Sequence, residues 1–134
     1  MRIEDVELGD ELPEERPDVS LETVRRFVIA AEMNMPRFTD HEFAKREGLP
    51  GALIPGIMSQ GHIAAMIHRW APGCHVVKID TVFRTPMVVG TPVVVRGAVT
   101  NVEDDGTVEI DCTIISEETG ATGVLGTALV RLSD

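Results

Sequence analysis

Residues Gly56 to Trp70, GIMSQGHIAAMIHRW, set the strictest condition on the fold. Ile57, Met58, Gly61, Ile63, Ala64, Ala65, Met66, Ile67 and Trp70 would place apolar or small groups around most of a helix. A helix without a polar face has to be covered on several sides. The C-terminal half of the chain can cover it. HVVKIDTVFRTPM, TPVVVRGAVTNVE, TVEIDCTIISEE and GVLGTALVRL are rich in Val, Ile and Thr, with stretches of alternation. Val108, Ile110, Cys112 and Ile114 make one strand face, and Glu109, Asp111 and Thr113 make the other. Asp104-Asp105-Gly106 and Glu118-Thr119-Gly120 are turn signals between consecutive antiparallel strands. The order predicts an α+β fold, with an antiparallel sheet wrapped around a long central helix at about Gly56–Trp70. With 134 residues there is room for one core, so a single domain over 1–134 is expected.

The first half reads as the approach to that helix. Gly9-Asp10-Glu11-Leu12-Pro13 looks like a turn leading from a short first strand. Ser20 is placed to cap a helix from about Leu21 to Ala31, with Leu21, Val24, Phe27, Val28 and Ala31 on one stripe. Asp40 can cap a short helix, His41 to Glu47, which Gly48 ends. Between them lies AEMNMPRFTD, a connector unusually rich in methionine.

The net charge of −10 and the scatter of the basic residues argue against nucleic-acid binding. Cys74 and Cys112 have no metal-site spacing and read as small buried hydrophobes. No metal or cofactor is expected. The apolar stretch from Gly51 to Ile67 is broken by Pro55, Gly56, Gln60 and His62, so no membrane span is expected. The acidic N-terminus does not resemble a signal peptide, and a cytoplasmic protein is expected.

FTDHEFAKREGLPGALIPGIMSQGHIAAMI resembles the MaoC-like dehydratases, the (R)-specific enoyl-CoA hydratases of the hot-dog fold. Phe27, Pro36, Asp40, Phe43, Ala44, Gly48, Pro50 and Gly56 stand where that family's pattern has them. VFRTPMVVGTPVVVRGAV resembles the family's strand pair, with Phe83, Pro86 and Gly90 in their usual places. The resemblance implies a hot-dog domain that dimerises through paired sheets, with the active site between subunits. It also implies enoyl-CoA hydration or acyl dehydration, in fatty acid metabolism.

That chemistry makes two demands. An enolate-like thioester oxygen needs preorganised N–H donors, and protons must move at the α-carbon while water is activated at the β-carbon. Gly56 and Ile57, at the start of the central helix, are the candidates for holding the thioester oxygen. The second demand meets a departure from the family. Its catalytic Asp falls on Met33 and its catalytic His on Phe38, and neither side chain exchanges protons. The usual Asn falls on Met35, and the His of the family's H-G pair falls on Pro55. Glu32 and His41 are the nearest substitutes, although each also fits a plain role as a solvated helix-end residue. Met33, Asn34, Met35, Phe38, Ser59 and His62 are candidate pocket residues. Met33, Met35 and Phe38 serve equally as core packing, and His62 as a hydrogen-bonded interior histidine.

Three readings therefore stand. One is a hydratase/dehydratase of the family, active or not as isolated. The second is a non-catalytic partner subunit or acyl-CoA-binding module. The third is a thioesterase-like hydrolase. Implied partners are an acyl-CoA or acyl-carrier-protein thioester and a second hot-dog subunit, as a homodimer or heterodimer. Arg37, Lys78 and Arg84 are candidates for the carrier's phosphates.

Overall fold

A computed structural model describes residues 1–133. It contains helices α1 (Leu21–Ala30), α2 (His41–Arg46) and α3 (Gly56–Trp70). Strands β1 (His75–Phe83), β2 (Val93–Val102), β3 (Thr107–Ser116) and β4 (Thr122–Arg131) complete it. The strands form one antiparallel sheet in the order β1-β4-β3-β2. The hairpins β2–β3 and β3–β4 turn where Gly106 and Gly120 take left-handed φ of 91° and 74°. β1 docks on the far side of β4, so the segment between β1 and β2 crosses the sheet's end.

The sheet holds α3 against its inner face. Ile63, Met66 and Ile67 on α3 are fully buried, together with Val95, Ile110, Ile114 and Val124 on the strands. Gly97 makes room for this packing: a Cβ there would stand 2.9 Å from Met66 Cε. The alternation on β3 is as expected, with Val108, Ile110, Cys112 and Ile114 all buried. Burial, with the nearby Asp111 charge, pushes the Cys112 thiol up to about 12, and burial raises Cys74 as well. Both cysteines are free and buried.

α1 begins at Ser20, whose Oγ accepts from Thr23 N–H at 3.3 Å. Asp18 supports this cap. Its carboxylate accepts from the Thr23 hydroxyl at 2.7 Å and from Ser20 N–H at 2.9 Å, which draws its pKa down to about 2. Asp40 Oδ1 caps α2 by accepting from Phe43 N–H at 3.0 Å.

The N-terminal segment differs from expectation. No strand precedes Gly9; Ile3–Asp5 form one 3-10 turn, and Gly9 (φ 89°) ends a second turn closed by Asp10 N–H to Glu7 O at 3.1 Å. Pairing comes after it. Leu12 N–H bonds to Gly97 O at 2.9 Å, and Glu15 exchanges backbone bonds with Val95, so residues 9–15 run along the open edge of β2. Pro13 has no N–H to give, which keeps this pairing to isolated bridges. Among the described residues, no helix is long and apolar enough to cross a membrane.

Candidate functional site

α3 starts differently from α1 and α2. Its N-cap is Pro55, with extended ψ of 137° and no capping side chain. Pro55 O takes Ser59 N–H at 3.1 Å, the first intrahelical bond. The N–H groups of Gly56, Ile57 and Met58 therefore have no intrahelical partner, and they lie at the positive end of a 15-residue helix.

A cavity of about 350 Å³ opens beside this helix start. Phe38, Leu53, Ile54, Gly56, Ser59, Phe83, Arg84, Thr85, Pro86, Met87, Gly123 and Val124 line it. The lining is mainly apolar. Ser59, 3% exposed, is a buried polar side chain on its wall. Phe83 stacks on the helix start: a Cβ on Gly56 would stand 2.8 Å from its ring Cζ. Glycine at 56 thus leaves room for an aromatic wall next to the free N–H groups.

The connector is folded by its backbone. Glu32 takes φ 55°, with its N–H to Ile29 O at 3.1 Å and Met33 N–H to Val28 O at 2.9 Å. This is a left-handed helix end of the kind glycine usually provides, and it leaves Glu32 exposed. Pro36–Phe38 then form a 3-10 turn, which had no clear sequence signal beyond Pro36. Met33 and Phe38 both pack against the core, and of the two Phe38 lines the cavity. Asn34 and Met35 face a separate groove of about 420 Å³, shared with Arg25, Ile29 and Asp40.

His41 has a backbone task. Its Nδ1 accepts from the buried Ala52 N–H at 3.0 Å, and Leu53 N–H bonds to Arg37 O at 2.8 Å. These two bonds tie the connector and α2 to the loop that leads into α3. Gly51 lies close by: a Cβ there would stand 3.0 Å from His41 Nδ1 and 2.9 Å from Val88 Cγ1. His62 is half-buried on α3 and outside the cavity lining, and desolvation lowers its pKa. Ile57 is 56% exposed and stands outside the cavity lining.

Of the candidates, Phe38, Gly56 and Ser59 converge on the cavity. Glu32, Met33, Asn34, Met35, His41, Ile57 and His62 are absent from its lining. Arg84 stands at the cavity, whereas Lys78 is paired with Asp80 at 3.4 Å on β1. Leu53, Ile54, Met87, Gly123 and Val124 had escaped sequence reasoning. Gly123 offered a signal, being a glycine inside a strand pattern with no turn to make. Among the described residues, no group of three or more His, Cys, Asp or Glu side chains is arranged to hold a metal ion.

No family model matches the sequence, and no curated protein matches it. Solved structures do. An (R)-hydratase from A. caviae involved in PHA biosynthesis superposes with a TM-score of 0.88 at 21% identity, covering 96% of this chain and 98% of that one. A chain of the ChsH1–ChsH2 complex from Mycobacterium tuberculosis gives 0.87 at 18% identity, covering 96% and 99%. A MaoC-like dehydratase gives 0.87 at 25% identity, covering 98% of this chain and 42% of that chain. Sheet order, central helix and these superpositions agree, and the chain has the hot-dog fold of the (R)-hydratases and MaoC-like dehydratases.

Proposed function

We propose that this chain binds an acyl thioester, on CoA or a carrier protein, as a hot-dog subunit of a cytoplasmic enoyl hydratase/dehydratase, without exchanging protons itself. The observation that carries this reading is the make-up of the cavity. It reaches the uncapped α3 start at Gly56 within a mainly apolar enclosure, and among the described residues the one ionisable side chain on its lining is Arg84. An oxyanion can be held there, and Arg84 supplies a cation for the carrier's phosphates. No carboxylate or imidazole among the described lining residues can perform general acid–base work. Glu32 is exposed at a left-handed helix end and His41 Nδ1 accepts from Ala52 N–H, so this reading gives neither of them a catalytic part.

A partner completes the reading. The sheet ends at β1, where Val77, Val82 and Phe83 are about half exposed, and Ile57 is exposed on α3. An open apolar edge of this kind favours pairing with another sheet. A second hot-dog chain carrying an acid–base pair would supply what this cavity lacks, and one similar structure is itself a complex of two chains.

The test is a titration of the purified chain with butyryl-CoA alongside a hydration assay with crotonyl-CoA. Saturable binding with no turnover is expected. Turnover by this chain alone, abolished by Glu32→Gln or His41→Ala, would overturn the non-catalytic reading. Absence of any acyl-CoA binding would overturn the ligand class.

A further inference from the structure

The cavity at the α3 start has a neighbour. A second chamber of about 300 Å³ lies beyond the segment Thr85-Pro86-Met87, and these three residues line both spaces. The backbone of this divider is pinned. Arg84 N–H bonds to Gly123 O at 2.8 Å, and Met87 O accepts from Ile54 N–H at 2.8 Å. Pro86 adds a fixed φ. What remains free to move is the Met87 side chain, which is half-buried and rests on Gly123. A Cβ on Gly123 would overlap the Met87 sulfur, so the thioether fills the space that a side chain at 123 would take.

Resting on the acyl-thioester reading above, we infer that Met87 is a swinging partition that sets how long an acyl chain the site accepts. Methionine suits this work. It is unbranched, has three rotatable side-chain bonds and adapts to irregular apolar space. With its side chain against Gly123 the first chamber is closed at that end and takes a short chain. Rotated away, it opens a way into the second chamber, where Pro50, Val88, Val93 and Ala121 provide apolar surface. Ser116, Thr119 and Glu118 also line that chamber. At roughly 30 Å³ for a group the size of water, the added space holds several methylenes. An aliphatic tail fits this lining better than a charged group, because Glu118 would repel an anion and a buried ion needs a partner.

The test compares binding of butyryl-CoA, dodecanoyl-CoA and CoA itself to the wild-type chain, Met87→Ala and Met87→Phe. Thermal unfolding confirms that each variant is folded. Opening the partition with Met87→Ala is expected to raise the dodecanoyl-to-butyryl affinity ratio at least about tenfold, the lower end of what one methylene gained in an apolar pocket is worth. Met87→Phe is expected to lower that ratio. Equal changes for both chain lengths, or a change that appears with CoA alone, would overturn the partition and leave the ligand class standing. Failure of the wild-type chain to bind either acyl-CoA would overturn both. If Met87→Phe failed to fold, Met87→Ala alone would still decide, since an unchanged ratio there refutes the inference.

Discussion

Ser20 and Asp40 each turn a side-chain oxygen onto the helix they start, at 3.3 Å and 3.0 Å from the N–H groups they satisfy. Pro55, at the start of α3, turns nothing. The two capped helices are the shorter ones, and their first turns are closed by their own sequence. The longest helix is left uncapped beside a cavity. A missing cap withholds stability of about 1 kcal/mol. The α3 start thus carries no side-chain cap beside the cavity, while the Asp40 cap closes the end of the connector.

This contrast between capped and open helices is tested most severely at α2. Removing the imidazole with His41→Ala orphans the buried Ala52 N–H, and a loss of about 1–3 kcal/mol is expected by urea unfolding. A stability unchanged within error would show that the bond does not hold the loop. Closing the open helix comes next. In Pro55→Ser the hydroxyl can cap α3, and the expected result is greater stability, by about 0.5–2 kcal/mol, together with weaker acyl-CoA binding. Stronger or unaltered binding would mean that those N–H groups do not meet the ligand. The smallest effect belongs to the end of α1. Glu32→Gly relieves a left-handed residue and is expected to stabilise by about 1 kcal/mol, while Glu32→Gln is neutral. A destabilised glycine variant would give the Glu32 side chain a role that its exposure does not suggest.

The larger part of the fold was legible because it rests on periodicity. The alternation at Val108–Ile114 describes one face of one strand, and that face is buried. The apolar run from Gly56 to Trp70 marks the central helix, where Met58, Ile63, Met66 and Ile67 are buried while Ile57 stays exposed. Caps at Ser20 and Asp40 were legible for a similar reason, since a cap is a local bond between residues three apart. The cavity was only partly legible. Phe38, Gly56 and Ser59 were identifiable, but Met87 and Gly123 meet across 36 positions of sequence, and no local pattern announces that. His41 was misleading in a similar way. Its partner, Ala52 N–H, is a backbone group eleven positions on, invisible to any reasoning from side-chain type. The N-terminal edge segment was also hidden, because Pro13 and Glu11 carry no strand pattern and its pairing is set by the open side of β2.

The sheet order also bears on how the molecule is made. β1 is the first strand in the chain, yet its neighbour in the sheet is β4, with Phe83 opposite Val124 and His75 opposite Arg131. During synthesis β1 must wait for the remaining strands, with an apolar edge exposed in the meantime. Pairings of such long sequence separation are slow to form, because loop closure precedes any gain from contact. Gly126 then receives β1 at very close backbone approach to Asp80, a fit that any side chain at 126 would obstruct. Closure of the sheet is therefore a late event in folding, and a chain halted before β4 would carry β1 as an unpaired strand open to aggregation.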